Sequence, residues 1–80
     1  MRLPLFALAA ATLASPALAD DKAACTDGIA MIWMELGKDP AEPLQGKLKK
    51  ALRVAEREMG EGEFDECLDA IGDARRALKP

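Results

Sequence analysis

The chain has 80 residues and a formal net charge of −3 at pH 7, with 14 acidic residues against 11 basic ones. This length allows one small domain at most. Because the chain is acidic and contains only two Phe, one Trp and no Tyr, it lacks the basic, aromatic surface that binds nucleic acid, and we expect no nucleic-acid partner.

Residues 1–19 have the pattern of a secretory signal peptide. Arg2 precedes the apolar run Leu3–Leu13, and an A-x-A cleavage site ends at Ala19. The apolar run is shorter than the roughly 20 residues that span a bilayer, and a polar segment follows the cleavage site directly, so a retained membrane anchor is the weaker alternative. We therefore expect a mature domain of residues 20–80 that is periplasmic or secreted and does not contact the membrane after cleavage.

The first predicted helix covers about residues 21–36. Its apolar face consists of Cys25, Ile29, Ile32 and Leu36. These spacings of four, three and four are typical of one face of a helix, and Trp33 widens that face. Gly28 lowers helix propensity and indicates either an irregular start or a close helix contact. Gly37 is expected to end the helix in a left-handed conformation.

The first helix also carries more apolar surface than one core face requires. The segment Ile29–Met34 is apolar on every side, and Met31 and Met34 are expected to project away from the core face. An exposed apolar patch usually marks an interaction site, and Met31, Trp33 and Met34 are therefore candidate anchors for another exported protein or a second copy of the chain. The alternative is that this helix is simply the most buried of the three.

The second predicted helix covers about residues 43–59. The two prolines of Lys38–Pro43 interrupt the preceding helix, and Pro43 is expected to be the first residue of this one. Its apolar stripe consists of Leu44, Leu48, Ala51, Leu52, Ala55 and Met59. A basic side carries, among others, Lys47, Lys50, Arg53 and Arg57. Such a side is usually a solvated face; the functional alternative is a docking surface for an anionic partner. The segment Gly60–Gly62 is expected to end the helix.

The third predicted helix covers about residues 63–78. Its apolar face consists of Phe64, Cys67, Leu68, Ile71, Ala74 and Leu78. Acidic residues crowd its first turns and basic residues its last turn, and both biases complement the helix dipole. No segment has the alternating pattern of a strand, so we predict an all-α domain.

Three helices with short links predict an up-down-up three-helix bundle. In that topology the first and third helices are parallel, so Cys25 and Cys67 lie in early turns at the same end. Cysteines pair in exported proteins, and we predict a disulfide that contributes about 4 kcal/mol by restricting the unfolded chain. A dithiol metal site or intermolecular bonds are the alternatives, although no third or fourth soft ligand accompanies the pair.

The composition argues against an enzyme and against a cofactor. The chain has no His, and after residue 19 Thr26 is its only hydroxyl side chain. Neither an imidazole base nor a serine nucleophile is present, and a disulfide would remove both thiolates. The carboxylates near the start of the third helix are the remaining acid–base groups, and their position favours helix capping and solubility.

Metal handling is the alternative function. Met31 and Met34 are one helical turn apart beside Trp33, and thioether sulfur is a ligand that Cu(I) accepts. A divalent cation on the acidic start of the third helix is a second possibility. The competing interpretation is that the methionines fill the core, since methionine is a common gap-filler and no His or third Met lies nearby.

The segment Leu48–Pro80 resembles a single tetratricopeptide-type helical hairpin. The positions that carry the resemblance are Leu48, Leu52, Ala55, Gly62, Phe64, Cys67, Ala70, Ala74 and Pro80. The usual tryptophan and early glycine–tyrosine pair of that family are absent, and Cys67 stands where alanine is common. The resemblance implies a helical hairpin used for protein contacts and no particular ligand, although such repeats normally occur in about three or more copies.

Overall fold

The computed structural model describes residues 16–80, with side chains from residue 20 onward, as three helices. The helices are α1 (Pro16–Gly37), α2 (Leu44–Gly60) and α3 (Phe64–Leu78). No strand occurs among these residues, which confirms the predicted all-α class. Within the same part of the chain, no helix combines the length and the apolar character that crossing a bilayer requires.

Contacts between α1 and α2 show that these helices are antiparallel. The Thr26 hydroxyl lies 4.0 Å from the Met59 sulfur, and the Trp33 indole N–H donates a hydrogen bond to Glu56. Residue numbers thus rise along α1 as they fall along α2. This is the first half of the predicted up-down-up topology.

Contacts between α1 and α3 show that these helices are parallel. Cys25 and Cys67 form a disulfide, with Cα atoms 5.8 Å apart, and Gly28 packs against Ile71 one turn further on. Residue numbers therefore rise together along both helices. The predicted three-helix bundle and its Cys25–Cys67 disulfide are confirmed.

The hydrophobic core contains residues from all three helices. Its buried members are Cys25, Ile32, Leu48, Ala51, Leu52, Ala55, Cys67, Ala70, Ile71 and Ala74. The buried alanines of this core all lie in α2 and α3. Their small side chains allow the backbones of these two helices to approach closely. The apolar faces predicted for the three helices supply most of the core, since periodicity selects the side of each helix that is removed from water.

Helix α1 begins at Pro16, before the expected start near residue 21. Proline suits the first turn of a helix because the amide hydrogen that it lacks would have no partner there. The predicted signal peptide, residues 1–19, lies largely outside the described residues and stays a prediction.

The end of α1 differs from the expectation for Gly37. The helix includes Gly37, and the left-handed residue is Asp39, with φ of 55°. The amides of Lys38 and Asp39 bond the carbonyls of Glu35 and Leu36, at 3.1 and 3.0 Å, and these bonds close the last turn. Aspartate tolerates the left-handed region better than most residues, so a glycine is not required at this point.

The start of α2 also differs slightly from the prediction. Pro43 precedes the helix as its capping residue, and its carbonyl accepts the amide of Lys47 at 3.1 Å. The Glu42 carboxylate accepts the amide of Gly46 at 2.8 Å and so satisfies one of the free amides of the first turn. At the other end the prediction holds, because α2 ends at Gly60 and Gly62 adopts a positive φ of 77°.

Gly28 marks the close contact between α1 and α3. It is buried, and a Cβ atom at this position would lie 2.6 to 2.8 Å from three carbons of the Ile71 side chain. The space beside α1 is therefore filled by Ile71. Of the two interpretations left open by the sequence, the close helix contact is correct.

We predict that Gly28→Ala destabilises the protein although alanine favours a helix. Overpacking against Ile71 costs about 1–3 kcal/mol, which outweighs a gain of about 1 kcal/mol in helix propensity. The matched control is Gly72→Ala in α3, where the nearest atoms belong to the flexible end of Arg76 at 3.5 Å or more. Urea unfolding should show a lower free energy of unfolding for the first variant and a higher one for the second.

We also predict a large loss of stability when the disulfide is removed. The bond joins residues 42 apart in sequence, and closing a loop of that length stabilises the fold by about 4 kcal/mol. Urea unfolding of the double variant Cys25→Ala/Cys67→Ala, and of the wild-type chain with and without reductant, measures this difference. Equal midpoints in all three samples would contradict the prediction.

Candidate functional site

Helix α1 presents one uninterrupted face to solvent. The exposed residues on this side are Ala23, Thr26, Asp27, Ala30, Trp33, Met34 and Gly37. They recur every three or four positions, which places them on one side of the helix, away from the buried residues Cys25, Gly28 and Ile32. Thr26 and Trp33 lie at the edge of this side next to α2. We call this set the α1 outer face.

Two large apolar side chains lie on the α1 outer face. Trp33 is 56% exposed and Met34 is 65% exposed, and among the described residues these are the large hydrophobic side chains that remain exposed. They are adjacent in sequence and one turn beyond Ala30. Exposed apolar side chains of this size next to one another are a feature of interaction sites more than of ordinary surface.

The two methionines predicted to project from the core lie in different environments. Met34 is exposed as expected, whereas Met31 is half-buried and packs against the core. The expectation that Met31 projects away from the core is therefore wrong. The part of α1 that packs in the bundle is wider than the predicted face of Cys25, Ile29, Ile32 and Leu36.

Trp33 is held in place from the neighbouring helix. Its indole Nε1–H donates a hydrogen bond of 3.3 Å to the Glu56 carboxylate on α2. The hydrogen bond restricts rotation of the ring while more than half of the side chain stays in solvent. A side chain that is already oriented loses less entropy when a partner covers it.

A groove adjoins the α1 outer face on the side of α2. It has a volume of about 570 Å³ and is lined by Lys22, Ile29, Glu56, Met59, Gly60 and Phe64. Glu56 lines the groove and also accepts the hydrogen bond from Trp33. The groove and the exposed ring therefore form one continuous surface.

The basic side of α2 lies on a different part of the molecule. Lys47, Lys50, Arg53 and Arg57 are exposed, as predicted for a solvated face. Arg57 is paired with the adjacent Glu58 at 3.1 Å, whereas Lys47 and Lys50 line a smaller groove of about 230 Å³ between α2 and α3. Of the residues predicted to form a secondary contact, Arg57 is thus paired with an acidic neighbour, whereas Lys47 and Lys50 line a groove.

Charge is distributed unevenly along the bundle. The end that holds the α2–α3 turn carries Asp20, Asp21, Glu56, Glu58, Glu61, Glu63, Asp65, Glu66 and Asp69, with Lys22 and Arg57 as its basic residues. The opposite end carries Lys38, Lys47, Lys49, Lys50, Arg75, Arg76 and Lys79, with Glu35, Asp39, Glu42 and Asp73 as its acidic residues. We call these ends the acidic pole and the basic pole.

The acidic pole is crowded enough to change a protonation equilibrium. The pKa of Glu66 is raised above its ordinary value, mainly by the negative charge of Asp65 and then by that of Asp69. Desolvation and the more distant Glu58 and Glu63 act in the same direction. Like charges disfavour the ionised carboxylate, so their crowding at this helix start raises the pKa of Glu66.

The carboxylates of the acidic pole do not converge on a metal site in the described residues. Within residues 20–80, no group of three or more Cys, Asp or Glu side chains has the arrangement that holds a metal ion.

Comparison with known proteins does not assign a family. No family model matches the chain, and no curated protein sequence matches it. The tetratricopeptide-type resemblance of Leu48–Pro80 stays a prediction. Helices α2 and α3 do form an antiparallel hairpin, with the alanines at 55, 70 and 74 buried in the core.

Several members of this surface were not singled out by the sequence. Ala23, Ala30 and Gly37 recur every seven residues, and this spacing is readable in the sequence once the core side of α1 is known. Glu56 has no such signal, because its contact with Trp33 depends on how α1 and α2 pack.

We predict that Asp65→Asn lowers the pKa of Glu66, because it removes the largest repulsion acting on that carboxylate. A raised native pKa means that the folded chain binds the proton more tightly than the unfolded chain. This contribution to stability is therefore lost as pH rises through the raised pKa. NMR titration of the Glu66 side chain measures the shift, with Asp27→Asn as a control that should leave the pKa unchanged.

Proposed function

We propose that this chain is a small exported, non-enzymatic helical protein that works by binding a protein through the α1 outer face. The observation that carries this proposal is the adjacent exposure of Trp33 and Met34 on a helix whose other side closes the core. The partner is another exported protein or a second copy of the chain.

The chemistry of the two side chains supports a binding role. Tryptophan and methionine are enriched at the centres of protein interfaces, and tryptophan often contributes a large share of the binding energy. The hydrogen bond from Trp33 to Glu56 orients the ring before binding. The adjoining groove of about 570 Å³ provides a concave region next to this anchor.

The available reactive groups support a non-enzymatic role. Both cysteines are used in a buried disulfide, so neither thiol is available as a nucleophile. The crowded carboxylates lie on the solvated start of α3, where they repel one another. The chain has no His or Tyr that could exchange protons with them.

The exported location is proposed from the sequence pattern of residues 1–19 together with the disulfide. A signal peptide directs the chain to a compartment in which disulfides form and persist. The bond between Cys25 and Cys67 closes a domain that is otherwise too small for a large core.

We predict that Trp33→Ala weakens partner binding by about tenfold or more, the effect of removing one well-oriented aromatic anchor. A pull-down from periplasmic extract compares three tagged baits: the wild-type chain, Trp33→Ala and Trp33→Phe. Untagged wild-type chain is added to the extract so that capture of a second copy is also detected. Trp33→Phe keeps a ring and should bind with intermediate strength.

The control is Lys49→Ala, which alters an exposed side chain on α2 away from the α1 outer face. It should bind as the wild-type chain does. Equal capture by Trp33→Ala and the wild-type chain, with circular dichroism showing both folded, would exclude the α1 outer face as the binding surface.

A further inference from the structure

The centre line of the α1 outer face is made of small residues. Ala23, Ala30 and Gly37 are exposed and follow one another at intervals of seven, so they lie almost directly above one another along the helix. Larger residues stand in pairs on the two flanks of this line, between its members. Another helix could therefore approach the backbone closely along the line while its own side chains fill the spaces between the flanking pairs.

Charge indicates which helix fits and in which direction. Along the flank of α1 that carries Asp20, Asp27 and Lys38, the charge changes from negative near the start to positive at the end. A partner helix that complements this flank presents positive charge beside Asp20 and negative charge beside Lys38. A second copy of α1 meets this requirement when it runs antiparallel. The two poles of one bundle then lie beside the opposite poles of the other.

A parallel pairing of two copies is disfavoured by the same charges. Identical residues would then lie at the same level, so Asp27 would be level with Asp27 of the second copy and Lys38 level with Lys38 of the second copy. Like charges brought together at an interface cost free energy, and all of these pairs would be present at once. The antiparallel arrangement avoids each of them.

We infer that the partner of the α1 outer face is a second copy of this chain, packed antiparallel about a twofold axis at Ala30. This inference rests on the proposed function and specifies its partner. Ala23 then lies opposite Gly37 of the second copy, and Trp33 lies opposite Thr26 of the second copy. The interface is isologous, with each contact formed twice.

The ends of the two helices supply the charged contacts of this dimer. Lys38 is 66% exposed and is paired with Glu35 at 3.1 Å within its own helix. Exposed pairs of this kind contribute little, so Lys38 is able to shift toward Asp20 of the second copy. Asp20 and Lys38 lie on the same flank of α1, since eighteen positions correspond to five whole turns. Antiparallel packing places matching flanks next to each other.

Cysteine cross-linking distinguishes the two directions. Ala30→Cys should form a disulfide-linked dimer in either direction, because this position meets itself in both. Ala23→Cys alone should not cross-link in the antiparallel dimer, whereas a mixture of Ala23→Cys and Gly37→Cys should give a linked heterodimer. Both positions accept a side chain, since Ala23 is exposed and no atom lies within 4 Å of a Cβ built at Gly37.

Lys49→Cys is the control for random collision, because this exposed position lies on α2. Its rate of cross-linking sets the background. Efficient linking of Ala23→Cys with itself would overturn the antiparallel arrangement. Linking of Ala30→Cys no faster than that of the control would overturn the dimer, and mass spectrometry should find the Cys25–Cys67 bond intact in every sample.

Charge reversal provides a second, independent test. Lys38→Glu should weaken the dimer on the order of tenfold in sedimentation equilibrium, because two attractive contacts become repulsive. Adding Asp20→Lys should restore the affinity, and raising the salt concentration should weaken the wild-type dimer. A Lys38→Glu variant that dimerises as tightly as the wild-type chain would overturn the charge argument.

Failure of this inference is distinguishable from failure of the proposed function. A wild-type chain that sediments as a monomer at all concentrations overturns the dimer. If Trp33→Ala still abolishes capture of a different protein, the α1 outer face remains a binding surface. If Trp33→Ala changes nothing in either experiment, both proposals are wrong.

Discussion

The architecture depends on the covalent bond between Cys25 and Cys67. It joins the third turn of α1 to the first turn of α3. These two helices run in the same direction, and α2 returns antiparallel to α1. The close packing of Gly28 against Ile71 lies one turn from the bond and extends the same parallel contact. A domain of this size has little apolar area with which to oppose the entropy of the chain, and a loop closure of 42 residues reduces that entropy in the unfolded state.

The same constraint leaves one side of α1 uncovered. The residues of α1 that face α3 and α2 are used to close the core, and two further helices cannot surround a third. The uncovered side carries Trp33 and Met34, which no other element within residues 16–80 covers. The hydrogen bond to Glu56 fixes the tryptophan at the edge of the groove between α1 and α2. The proposed binding function thus follows from the number of helices as much as from the side chains.

Helix direction also decides how charge is arranged. Each helix contributes an acidic or a basic segment, and the up-down-up topology collects the acidic segments at the end of the α2–α3 turn. The raised pKa of Glu66 is a local consequence of this crowding. At the scale of the whole molecule, the poles are separated by about 25 Å, the length of a 17-residue helix such as α2. An arrangement of this kind favours antiparallel contact between copies and disfavours parallel contact.

The sequence by itself determined the helical class, the approximate limits of α2 and α3, most of the core and the cysteine pairing, because helical periodicity and turn residues act locally. It did not determine that Asp39 rather than Gly37 is left-handed, or that α1 begins at Pro16. Both depend on where α1 begins and ends, and the local pattern of residues leaves these limits open by a few residues. Only the tertiary structure separated half-buried Met31 from exposed Met34 and placed Glu56 against Trp33. Their neighbours come from other helices, and the distances between helices are not encoded in any local pattern.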